Sequence, residues 1–231
     1  MEPLTALAVA TVSFVGSHFL LSSHPLRAKL VDAMGDGAFA GFYSLVSLAT
    51  FGWMVWAWSD APYVMVYAPP AWTDWVTFGG TLLAGFFLVV GLSSPNPTAM
   101  MQESQLDEDT DVAKGITRIT RHPGLWGFGL WGLSHLAGNG DARSLWVMGG
   151  IVVLAFGGMV HIDRRRRRAH PEGWERFAKQ TSLLPFAAIA RGDQKLALGE
   201  VGWVRPLVAV LVFVGLGLIH RWLIGVSPWP W

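Results

Sequence analysis

Six apolar runs separated by short polar segments restrict this chain to a bundle of helices in a lipid bilayer. Leu4 to Leu21, Ala38 to Trp58 and Trp75 to Leu92 each approach the roughly 20 residues needed to cross the hydrocarbon. Leu145 to His161 and Val204 to Ile219 are two more such runs. The remaining run, Leu125 to Ala137, is short and rich in Gly and Trp, so it is expected either as a short span or as a segment half buried among its neighbours. Only 14% of the residues are charged, against about a quarter in a soluble domain, as expected where lipid is the solvent. The fold class is therefore all-α, a polytopic membrane bundle of about six transmembrane helices. With no separate soluble domain in 231 residues, residues 1–231 form a single unit.

The charges that remain are unevenly placed. Arg27 and Lys29, then Lys114, Arg118 and Arg121, then ten basic residues between 161 and 205 alternate with spans, and only Arg143 and Arg221 fall on the other side. A split of 15 to 2 predicts cytoplasmic basic loops and both termini on the opposite face of a bacterial-type inner membrane. No basic stretch precedes the first apolar run, so a cleaved leader is not expected. The run Arg164 to Arg168 is read as a stop-transfer and orientation signal, not as a lipid or nucleic-acid site, and no nucleic-acid partner is expected. Met101 to Asp111 is acidic and expected as a solvated loop. Pro171 to Gln180 spaces Trp174 and Phe177 three apart and is expected as a short helix, either lying in the membrane interface or packed as a connector.

Ionisable groups inside hydrocarbon mark function by default, because lipid cannot solvate them. His18, His135 and His161 fall within or at the end of spans, whereas His24, His122 and His170 each precede proline. Phe128, Trp131, Gly132 and His135 share one helical face, a notch between aromatic rings that ends in an imidazole. Such a face either seats a flat apolar cofactor or lets helices approach closely through Gly124, Gly127, Gly129 and Gly132. With no Cys in the chain and no Asp or Glu in the middle of any span, a zinc site lacks ligands, and one or two imidazoles suit haem better.

The stretch Ile119 to Asp141, ITRHPGLWGFGLWGLSHLAGNGD, resembles the signature of the NnrU family, whose members include zeta-carotene isomerases. Ser17 to Leu21, Pro25 to Arg27 and Gly41 to Leu48 match in the first two spans, so residues 1–161 carry the core match. Residues 162–202 then form a basic cytoplasmic and interfacial segment, and 203–231 the last span and tail. The resemblance implies haem b with axial ligands at His18 and His135, His161 being the fallback, and either a carotenoid cis-trans isomerase or a role in denitrification and nitric oxide metabolism. A hydrophobic small molecule or nitric oxide is then the expected partner besides the bilayer. The isomerases carry a Cys at the place of Gly132, so that alternative iron ligand is absent here. Arg121-His122-Pro123 and Trp174-Glu175-Arg176-Phe177 also resemble the isoprenylcysteine and phospholipid methyltransferases, which implies S-adenosylmethionine bound by Arg121 and His122. The paired glutamates of that family are missing at His161-Ile162-Asp163-Arg164, which makes methyl transfer the second reading.

Overall fold

The computed structural model describes residues 1–108 and 112–230 and is helical throughout its apolar runs. The helices of ten residues or more are α1 (Pro3–Ser22), α2 (His24–Met34), α3 (Asp36–Asp60), α4 (Thr73–Ser93), α5 (Pro123–Gly138), α6 (Ala142–Ala169), α7 (Pro171–Gln180) and α8 (Val204–Ile224), with single turns at Ala187–Ala190 and Leu198–Val201. Proline occupies the first turn of α1, α2, α5 and α7, where its missing N–H is no loss and its φ suits a helix. At the other end of α2, Gly35 at φ 81° turns the chain sharply into α3.

Five helices, α1, α3, α4, α6 and α8, are long and apolar enough to cross a membrane. With 16 residues, α5 reaches only about 24 Å, and it is seated between α4 and α6. In space the order is α8, α4, α5, α6, α1, α3, each packed on the next. Consecutive pairs in the series α4, α5, α6 run antiparallel, whereas α1 and α6 run parallel, Thr11 lying on Gly150 and Phe19 on Gly157. The start of α1 and the end of α8 consequently lie at the end opposite the basic segments. Large apolar side chains such as Leu45, Leu48, Leu211 and Leu218 remain exposed on α3 and α8, which is the expected state of a lipid-facing surface. A small core of Leu7, Ala10, Phe14, Met54, Ala57 and Ile151 joins α1, α3 and α6.

Three connecting segments differ from expectation or resolve it. Most of residues 22–37 is not loop but α2, a helix with no buried residue that lies beside α3. Within the acidic segment, a 3₁₀ turn at Glu103–Leu106 replaces part of the expected solvated loop: Leu106 is buried and Glu103 pairs with Arg166 at 3.0 Å. Residues 109–111 of that segment lie outside the described residues. In α7, Trp174 and Phe177 are buried with Leu106 and Ala113, so this helix is a packed connector.

At the opposite end, residues 64–67 fold back on the α5–α6 junction. Val66 N donates to Gly140 O at 2.8 Å, Ala142 N to Val64 O at 2.8 Å, and the Tyr67 hydroxyl reaches the carbonyls of Leu136 and Asn139. Arg143 stacks over Trp58 and Tyr63, closing this end around Asp141.

Candidate functional site

The glycine-rich face of α5 is a packing surface. A Cβ at Gly127 would sit 2.5 Å from Leu88 Cγ and 2.7 Å from Leu88 N, and one at Gly132 would sit 2.7 Å from Val152 Cγ2. Approach this close brings backbones into van der Waals contact, which is what holds helices together where lipid supplies no hydrophobic drive. Gly132 is therefore filled from α6, Trp131 leans on the α1–α3–α6 core, and Phe128 is exposed outward. Of the two readings of this face, close helix packing is the one the geometry bears out around Gly132.

Each embedded histidine is held in a defined orientation. His18 Nδ1 lies 2.7 Å from Phe14 O and His135 Nδ1 lies 2.9 Å from Trp131 O, one turn back on the same helix. A ring nitrogen facing a carbonyl must carry the proton, so Nε2 is left as the lone-pair atom in both rings. His18 is flanked edge-on by Phe14 at 4.5 Å and Tyr43 at 5.5 Å, in the cleft between α1 and α3. His135 meets Trp131 at 5.3 Å. His161 is differently engaged, its Nε2 donating to Ser22 O at 2.8 Å, so it ties α6 to the end of α1.

The packing register fixes the relative depth of these rings. Phe19 meets Gly157, and on the far side of α6 Phe156 meets Gly129 and Gly158 meets Leu125. The backbone level of His18 thus falls near Phe128 on α5, seven residues or roughly 10 Å along the helix from His135. Each ring has the tautomer that an axial ligand requires, with Nε2 as its lone-pair atom. Among the described residues no group of three or more His, Asp or Glu could hold a metal ion.

Where the structure does bring predicted residues together is at the basic end. Arg121 donates from Nε and Nη2 to Asp163 Oδ2 at 3.0 and 2.8 Å, and His122 Nε2 lies 2.6 Å from Asp163 Oδ1. The backbone of Arg121 is equally committed, its N–H to Ser182 O at 3.0 Å and its carbonyl to Thr98 Oγ1 at 2.7 Å. Trp126 Nε1 and Thr120 Oγ1 both donate to Leu183 O at 2.8 Å, and the Arg121 guanidinium lies over Trp174. The Asp163 carboxylate of α6, shared by a guanidinium and an imidazole at the start of α5, clamps both helices to the 181–184 segment. Arg121 and His122 are thus engaged within the protein. Burial holds the His122 imidazole below its ordinary value, against the pull of Asp163 and with help from Arg121 and Arg166. The neutral ring donates Nε2–H to Asp163, and its buried Nδ1 has no partner.

Arg166 forms the second clamp, donating to Pro97 O at 3.0 Å, Ala99 O at 2.9 Å and Glu103 at 3.0 Å. Burial works to raise the Glu103 carboxyl, but hydrogen bonds from Arg166 and its own backbone, together with nearby guanidinium charge, leave it below the usual range. Neither Asp163 nor Arg166 stood out in the sequence. The available signal was a single acidic residue at the head of an arginine run that continues an apolar helix.

These features define a multi-pass helical membrane protein with two separate intramembrane imidazoles and a polar clamp at its basic end. The chain belongs to the NnrU protein family, whose model matches residues 6–228. It is 39% identical over 82 residues to the chloroplastic 15-cis-zeta-carotene isomerase of Zea mays, and 38% identical over 82 residues to that of Arabidopsis thaliana. Each match covers 36% of this chain and 22% of the relative, so this chain aligns with about a fifth of those proteins. No solved structure matches it.

Proposed function

We propose that this protein acts inside the membrane on an extended apolar polyene, catalysing cis-trans isomerisation of a carotenoid-type double bond. The observation that carries the reading is the pair of lipid-level imidazoles, His18 and His135, each turned so that Nε2 is its free lone pair. Family membership and similarity to zeta-carotene isomerases support the substrate class. The cleft at His18, walled by Phe14 and Tyr43, suits a flat conjugated chain entering sideways from lipid, because aromatic edges and faces pack against a π system. Haem b is the group whose chemistry would suit the free Nε2 atoms, with His18 and His135 the residues that would hold it. The charge pattern supports a plasma-membrane orientation with the basic end cytoplasmic.

The test is expression in a bacterial host that accumulates 15-cis-zeta-carotene, grown in darkness because light isomerises polyenes. Chromatography of the extracted pigments is expected to show conversion to the isomer with a trans central bond, and His18→Ala is expected to lose it. Full membrane expression with unchanged pigment would overturn the reading.

A further inference from the structure

The connection from α3 to α4, residues 61–72, is not helical, and no charged residue falls between Asp60 and Asp74. Two of the three tyrosines of the chain, Tyr63 and Tyr67, lie in it, with Trp72 at its end. Turn chemistry in water favours Asn, Asp, Ser and Gly, none of which is present here. Tyr63, Val64, Met65, Val66 and Trp72 are instead 43% to 65% exposed. The segment is nevertheless fastened to the α5–α6 junction. Val66 N and Tyr67 N both donate to Gly140 O, at 2.8 and 3.1 Å, and Val64 O accepts from Ala142 N at 2.8 Å. A Cβ at Gly140 would overlap the Tyr67 carbonyl, so the two backbones are in direct contact. The apolar side chains are therefore held outside the bundle in a fixed arrangement.

The depth of this segment follows from the packing of α5 on α4. Gly138, the last residue of α5, lies against Thr77, and the Thr77 hydroxyl donates to Ser134 O at 2.9 Å. The end of α5 is thus level with Thr77, one turn inside the start of α4 at Thr73. Resting on Gly140, the segment fills that missing turn at the depth of Trp75 and Val76, which are themselves exposed on α4. The nearby charge pair is kept inward: Arg143 lies over the rings of Trp58 and Tyr63 and 3.4 Å from Asp141, which is buried. In water, this would be an apolar strand edge with no charge to guard it, a pattern that invites aggregation. In the membrane interface the same composition is favourable, because Tyr and Trp concentrate there and non-helical backbone is tolerated where protein satisfies it. The same end of the bundle exposes Trp56 of α3 and Trp75 of α4, so one lipid layer covers all three.

We infer that residues 63–67 and Trp72 form a non-helical wedge seated among the phospholipids of the leaflet opposite the basic end, covering the depth that the short α5 leaves open. The wedge is separate from the isomerisation reading and stands or falls without it. The chain has no Cys, so one introduced thiol carries a nitroxide at a single chosen place. Met65→Cys and Val66→Cys are labelled in the full-length protein and reconstituted in phosphatidylcholine vesicles. Leu211→Cys on the lipid-facing side of α8 and Glu172→Cys, exposed at the basic end, serve as references. Power saturation then reads relaxation by oxygen, which concentrates in lipid, and by a water-soluble nickel chelate present on both sides of the membrane. Loss of nickel relaxation at positions 65 and 66, with oxygen the stronger relaxant as at Leu211, is expected. If one of the two variants does not fold, the other carries the same test, because both side chains are exposed. Nickel as the stronger relaxant, as at Glu172, would place the segment in water and overturn the wedge. Exclusion of both relaxants would also overturn it and assign the face to a second copy of the chain.

Discussion

The basic end and the membrane-embedded body of this protein are held together by different physics. At the basic end, two charged side chains withdrawn from water are answered by partners: Asp163 by Arg121 and His122, Arg166 by two carbonyls and Glu103. In the body, α4, α5 and α6 meet through glycines, with few polar contacts such as Thr77 to Ser134 O at 2.9 Å. One region depends on completeness of a polar network, the other on shape. The difference teaches where each is fragile: a network fails when one charge is orphaned, and a close-packed seam fails when one methyl is added.

The largest effect is expected from Asp163→Asn. It leaves the Arg121 guanidinium and the His122 ring without their shared anion, and removing one partner of a buried pair costs about 3 kcal/mol or more. Thermal unfolding followed by tryptophan fluorescence in detergent checks this, and a melting point equal to wild type would mean that the clamp is ornamental. Next comes the seam: Gly127→Ala places a methyl against Leu88 and is expected to cost about 2 kcal/mol through overpacking. Gly149→Ala, on the neighbouring helix where nothing lies within 4 Å of the new methyl, is expected to change stability by less than about 1 kcal/mol, and in the favourable direction. Equal losses in the two glycine variants would show that shape is not what decides the seam.

A smaller effect separates the two regions by pH. Because His122 is held below its ordinary value of 6.5, the unfolded chain takes up a proton at a pH where the folded protein does not. Its contribution to stability is complete above pH 6.5 and is lost as pH falls below that value toward the lowered folded one. The melting point is expected to decline as pH falls below 6.5, and His122→Gln to flatten that decline. An unchanged slope in the variant would assign the effect to other groups.

Much of this arrangement was legible in the sequence, and the exceptions have physical reasons. Apolar length located the six helices of the body, five of them long enough to cross a membrane, and prolines at first-turn positions marked where α1, α5 and α7 begin. The α2 segment read as loop because it buries nothing, so it carries no apolar periodicity to betray a helix. Arg121 and His122 were visible as a motif, but their partner was not: Asp163 is 41 residues from His122 in sequence, and only the antiparallel packing of α5 on α6 brings it near. The histidines show the converse. Their presence in spans was plain, yet their separation depends on the register of α1 against α6 and α6 against α5, which glycine contacts set and composition does not.

The free Nε2 atoms of these rings have a direct spectroscopic test. Purified protein from haem-supplied cells, with its His18→Ala and His135→Ala variants, is recorded from the Soret to the visible region before and after dithionite. With Nε2 the lone-pair atom of both rings, a haem signal is expected, and it is lost or shifted in the variant that removes its ligand. A haem spectrum unchanged in both variants would contradict the account.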